Sequence, residues 1–155
     1  MAAAIHSFST GDAVRITGDF ELVLLGPDKV EKDRREIKNL VVTLGKEAIC
    51  DQLAATPSLA VPKYIAIGTG STAAAAGNTT LETEVKRKEA TTRTRSGAVL
   101  TMSVAFAPGE GTGALRESGI LTASSGGTLY SRTVYELLTK EAGDEVVATW
   151  KMTVS

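Results

Sequence analysis

The segment "DEVVATWKMTVS", residues 144 to 155, leaves a folding chain little choice. Val146, Ala148, Trp150, Met152 and Val154 fall on one side of an extended chain, and Val147, Thr149, Lys151 and Thr153 on the other. Side chains of a strand alternate faces with a period of two, so a one-residue slip would turn the whole apolar set to water. Strand and register are both specified, and the apolar face requires other elements to cover it. The same alternation recurs upstream. Val14 and Ile16, then Phe20, Leu22 and Leu24, precede the turn signal Gly26-Pro27-Asp28, and Leu100, Met102, Val104 and Phe106 follow the turn at Ser96-Gly97. "ALRESGIL" and "LYSRTVYELL" read as two more strands around the turn "SSGG". Few aromatics (5%) with abundant Thr and Gly fit strands joined by tight turns.

One stretch changes period. In "TLGKEAICDQLAA", Ala48, Ile49, Cys50, Leu53 and Ala54 collect on one side at helical spacing, with Thr43 placed to cap. The expectation is a helix over about 44–55 that ends before Pro57, with Cys50 in its core-facing stripe. Strands separated by turns, with one early helix, predict a mainly β chain: an antiparallel β-sandwich, jelly-roll-like, carrying the helix on one side. At 155 residues and 16.2 kDa this is one domain with room for a single core. Residues 1–12 are expected to be a flexible N-terminal arm and 13–155 the domain. The opening "MAAAIHSFSTGD" has an initiator Met and neither a basic n-region nor a long apolar h-region, so an intact N-terminus without a secretory signal is expected.

The formal net charge of −1 supplies no global field toward nucleic acid or a membrane surface, and no apolar run is long enough to span a bilayer. Charge is instead local. Nine charged residues fall between Asp28 and Lys38, among them Arg34 and Arg35, and read as a solvated hairpin tip. A basic cluster, Lys86, Arg87, Lys88, Arg93 and Arg95, is interleaved with threonines. Along a single strand Arg87, Arg93 and Arg95 would share a face able to grip an acidic partner or phosphates. The cluster lacks the aromatic platform of a single-strand nucleic-acid binder, so a solvated face or a protein contact is the better reading. Arg34, Arg35, Arg87, Arg93 and Arg95 are therefore the candidate partner contacts.

The run Gly68-Thr69-Gly70-Ser71-Thr72-Ala73 satisfies the G-x-G-x-x-G/A spacing of a dinucleotide loop, and Glu89 stands about where a ribose-binding carboxylate would. Such a loop must run straight into a helix whose N-terminus holds the pyrophosphate. Gly77-Asn78 interrupts the chain first, and no second βαβ unit follows. The glycines are better read as a tight loop leaving a strand. His6 is the one histidine and Cys50 the one cysteine, which supplies neither a catalytic base nor a zinc set. The carboxylate pairs Glu82/Glu84 and Glu141/Asp144 show no sign of an acid with raised pKa beside an ionised base. No catalytic residue, cofactor or metal ligand is assigned.

The order of segments then becomes informative. "IKNLVVTLGKEAICDQLA", "KYIAIGTGSTAAAAGNTTLETEV", "LRESGIL", "LYSRTVY" and the closing W-x-M-x-V strand resemble a family of small structural proteins of tailed-bacteriophage virions. Members of that family carry an "NLV-T--G" run into a helix, a strand followed by "GTGT", a "TxLxxEV" segment, "REVGLF" and an Arg-bearing strand. The resemblance covers about residues 38–154 and rests on order and spacing. Ser118 and Ile120-Leu121 stand where Val and Leu-Phe are usual, and Ala75-Ala76 replace the commoner Pro and Asp. It implies a virion component rather than an enzyme, located in the virion, with other virion proteins and copies of itself as partners. A lone sandwich with a short arm suits a capsid decoration protein that cements the assembled shell, or else a neck, tail or baseplate adaptor that attaches a fibre. The arm, the tip 28–38 and the Ala-rich loop 71–79 are the expected contact elements. A carbohydrate-binding module is the alternative of another class. It would need exposed aromatics, whereas Trp150 falls on an inward face and Tyr64, Tyr130 and Tyr135 lie in apolar runs.

Overall fold

The alternating segments become strands that share one core. The computed structural model describes residues 14–155, so the expected arm 1–12 and His6 lie outside the described residues. In chain order the elements are β1 (Ile16–Leu25), β2 (Glu31–Val41), α1 (Thr43–Asp51), β3 (Tyr64–Gly68), β4 (Glu84–Glu89), β5 (Thr92–Ser96), β6 (Val99–Phe106), β7 (Gly113–Leu121), β8 (Leu129–Lys140) and β9 (Glu145–Val154). All pairings are antiparallel. The register places Phe20, Trp150 and Met102 in one row across β1, β9 and β6, then Leu22, Ala148 and Val104, then Leu24, Val146 and Phe106. All nine are buried, which is the face assignment the alternation predicts. Val14 departs from it and is exposed, as is Val154.

The described residues are mainly β, with one helix, as expected. The strands form one continuous order, β4-β3-β7-β8-β2-β1-β9-β6-β5, curled into a half-barrel, where the sequence reading had two separate sheets. Two features produce the curl. First, β2 pairs with β1 from Glu31 to Asn39 and with β8 only at Leu40 and Val41, so one long strand serves both halves. Second, the terminal strands β4 and β5 are consecutive in sequence. Ala90 donates its N–H to the Lys63 carbonyl (2.8 Å) beside β3, and Thr91 donates to the Ser103 carbonyl (2.9 Å) on β6. Adjacent residues are thus bonded to opposite ends of the sheet, and the inner faces of both halves meet in one core.

The helix is shorter than expected, and its stripe is corrected. Val42 occupies the N-cap without a side-chain cap, and Thr43 is the first helical residue. Only Gly45 and Ala48 are buried, Ile49 packs partly on the core, and Cys50 and Leu53 are exposed. The reason is close approach. A Cβ on Gly45 would collide with the Tyr130 carbonyl of β8, so the helix lies too near the sheet to bury a broad face. The segment 31–38, read as a hairpin tip, is strand. Only Gly26–Val30 make the turn, where Lys29 adopts φ 64° and the Val30 N–H bonds the Asp28 carboxylate at 3.0 Å.

Candidate functional site

The outer face of the β3, β7 and β8 half carries the most concentrated buried polar chemistry in the described chain. Register puts Gly68 opposite Glu117, and Gly119 opposite both Ala66 and Arg132. Glu117 is 0% exposed and Arg132 2%. Arg132 donates from Nε to Glu117 Oε2 at 2.9 Å, and its Nη2 lies 2.8 Å from the same oxygen, out of line for a hydrogen bond. Three backbone N–H groups complete the carboxylate's shell: Gly70 (3.2 Å) and Thr83 (2.6 Å) to Oε1, and Glu82 (3.0 Å) to Oε2. A carboxylate that accepts this many donors can stay charged when buried.

The glycine run therefore has a mechanical explanation. It leaves β3 into a loop that folds back over the sheet, and no helix begins there. A side chain on Gly68 or Gly70 would strike the Glu117 carboxylate, and one on Gly119 would meet Leu81 Cδ1 at 2.7 Å. Leu81 plugs this gap within a second apolar cluster with Val42, Ala66, Leu121 and Leu129, against which Leu44 of α1 packs. Glu82, which follows the plug, accepts from the Thr72 N–H and hydroxyl, both at 2.8 Å. Those bonds hold its carboxyl below the usual carboxylate range, the backbone one foremost. Asn78 closes the loop, accepting at Oδ1 from Arg132 Nη1 (3.0 Å) and from the Ala75 N–H (2.8 Å). Arg132 stands at the base of two shallow clefts of about 350 and 310 Å³ on either side of this loop.

The Glu117–Arg132 pair is thus a latch on the Ala-rich loop. Ala73, Ala75 and Ala76 are exposed, and the Ala76 carbonyl accepts from Thr43 N–H at the start of α1 (2.8 Å). Past the helix, residues 53–61 form an apolar ridge in which Leu53 is 86% exposed, Leu59 40% and Val61 36%. The ridge is ordered by Asp51, whose carboxylate accepts from the Ser58 and Leu59 N–H groups, and by Tyr130, whose hydroxyl donates to the Ala60 carbonyl at 3.0 Å. The Leu59 bond, first among several, keeps the Asp51 carboxyl below its ordinary range. One strand, β8, thus anchors the helix, the ridge and the Ala-rich loop.

The five candidate arginines are not brought together. Arg34 and Arg35 are neighbours on β2 and pair with Glu21 and Glu31, and with Asp33, respectively. Arg87 is largely buried, paired with Glu84 (2.6 Å) and donating to the Ala123 and Gly126 carbonyls at 2.8 Å. The shared face expected for Arg87, Arg93 and Arg95 is overturned. Arg87 lies opposite Ala66, on the outer face with the second cluster, while Arg93 and Arg95 lie opposite Met102 and Leu100, on the core side of β5. The Ala90-Thr91 crossing separates them. Among the described residues no group of three or more His, Cys, Asp or Glu side chains is placed to hold a metal ion, and no helix is long and apolar enough to cross a membrane.

Compared with protein-family models, curated proteins and solved structures, the chain gives no match. Function rests on the site itself. Sequence reasoning missed Glu117 and Arg132, although both lie in segments that carried the resemblance. The available signal was a charged residue in a strand with no polar face, beside glycines at 68, 70 and 119.

Proposed function

We propose that this chain is a structural component of a tailed-bacteriophage virion, a decoration protein that cements the assembled shell. In this reading the curled sheet works as a jelly-roll-like sandwich whose two halves are its layers. The observation that carries the proposal is convergence. The "GTG", "TxLxxE", "RESG" and Arg-bearing strand segments meet around Glu117 and Arg132 and hold the exposed Ala-rich loop, while Asp51 and Tyr130 order the exposed apolar residues 53–61. Exposed apolar residues on ordered segments favour a protein contact. A rigid body loses little entropy when such a contact forms, and repetition over many lattice sites makes modest contacts count. Sugar binding has less support, because Trp150, Tyr130 and Tyr135 are buried and Tyr64 half-buried.

The test is to sediment purified protein with particles assembled without it and, separately, with unassembled shell subunits. Attachment to particles is expected to exceed attachment to subunits. Leu53→Asp with Leu59→Asp should abolish it while the melting curve stays put, because both residues are exposed. Equal binding to free subunits, or no binding to any particle, refutes the proposal.

A further inference from the structure

Arg34, Arg35, Arg87 and Lys88 all have carboxylate partners, whereas Lys63, Arg93 and Arg95 are exposed and form no ion pair with any described residue. These three cations gather around one strand. Arg93 and Arg95 lie on β5, and Arg93 Nη1 donates to the Pro62 carbonyl at 3.0 Å, next to Lys63. Every residue of β5 is exposed, and β5 ends the sheet order, hydrogen-bonded along β6 alone. Its other edge presents peptide groups without a partner among the described residues.

Charges that face inward on an edge strand normally deter other chains, because an incoming apolar strand would bury an unpaired guanidinium. Opposite Met102 and Leu100, Arg93 and Arg95 are placed for that effect. The deterrent is selective, however. A strand carrying carboxylates at alternate positions on the same face neutralises both arginines while its backbone completes the ladder. We infer that β5 is an addition site for an extended, acidic segment of a partner protein, with Arg93, Arg95 and Lys63 reading its carboxylates. A nucleic acid matches the charge but not the open peptide edge, and no stacking aromatic accompanies β5. This site shares no residue with the apolar ridge, although the ridge ends at Val61, next to the Pro62 carbonyl that Arg93 bonds, and the inference stands whether or not the partner belongs to a virion.

The experiment uses the full chain and fluorescein-labelled ten-residue peptides with Glu at alternate positions and Val or Thr between, read by fluorescence anisotropy at 50 and 300 mM NaCl. The acidic peptide is expected to bind and to weaken with salt. A Lys-for-Glu version and a version N-methylated at alternate residues should fail. Arg93→Glu with Arg95→Glu should lower affinity at least tenfold with the unfolding midpoint unchanged. If that variant does not fold, Arg93→Gln with Arg95→Gln replaces it, and the peptide series on the native chain still decides. Equal binding of the methylated or basic peptides overturns the inference, and so does tighter binding of a single-stranded oligonucleotide or an anionic vesicle. Particle attachment without peptide binding would sink this inference and leave the decoration reading standing.

Discussion

Arg132→Met tests the latch most directly. The guanidinium is 2% exposed and is the charged partner of a carboxylate that is 0% exposed, so Met would fill most of the volume and leave Glu117 with three N–H donors but no cation. Removing one member of a buried ion pair costs about 3–5 kcal/mol. For a chain of this size that corresponds to a fall in Tm of roughly 10 °C. Glu117→Gln should cost a similar amount for a different reason, because one neutral carbonyl oxygen must replace two charged acceptors. With the carboxylate already neutralised, the guanidinium has less to compensate. The double variant should therefore be at least ~1 kcal/mol more stable than the sum of the single losses. Urea denaturation of the four proteins gives the cycle, and amide exchange locates it. Gly70, Glu82 and Thr83 N–H groups should exchange faster in Glu117→Gln, while the β1–β9 ladder keeps its protection. An Arg132→Met variant within 1 kcal/mol of the native chain would refute the claim that this pair holds the loop.

Trp150→Ala should cost about 3–5 kcal/mol, since the ring is 1% exposed and packs 4.8 Å from Phe20 between centroids; an unchanged urea midpoint would contradict its place in the core. The β8–β9 turn should confer acid sensitivity, because Asp144 accepts from Lys32 Nζ at 2.9 Å, and that bond above all holds its carboxyl below the ordinary range. A lowered folded pKa contributes stability that is complete above the unfolded value, about 3.9, and lost as pH falls toward the folded one. Lys32→Met should flatten that acid limb of the stability curve, measured by urea midpoints between pH 5 and 2.

Alternation made the rows headed by Phe20, Leu22 and Leu24 legible in advance, because a half-buried strand has one apolar face whatever it pairs with. Face sharing among the arginines was not legible. Residues 87, 93 and 95 have the same parity, but parity holds only within a strand, and the chain changes from one end of the sheet to the other at Ala90-Thr91. The helical stripe through Cys50 and Leu53 misled because periodicity reports which side of a helix is apolar. How much of that side is covered depends on how near the helix lies, and Gly45 brings it close enough that Ala48 suffices. The Glu117–Arg132 pair was hidden because Glu and Arg ordinarily face water. Its segments were noticed as motifs, but their meeting depends on pairings among β3, β7 and β8 that local sequence does not encode.

The division of β2 has a consequence for how the chain finds its structure. Its first part pairs with β1 across a short turn, a hairpin that costs little loop entropy to close. Its last two residues pair with β8, where the Ser131 hydroxyl donates to the Leu40 carbonyl across 91 positions of sequence. The β7–β8 pair is likewise local, so each flank of this seam can assemble on nearby contacts, while the seam itself must wait for a large loop to close. One strand thus takes part in both an inexpensive early contact and an expensive late one, and the passage between them occurs at Asn39 and Leu40.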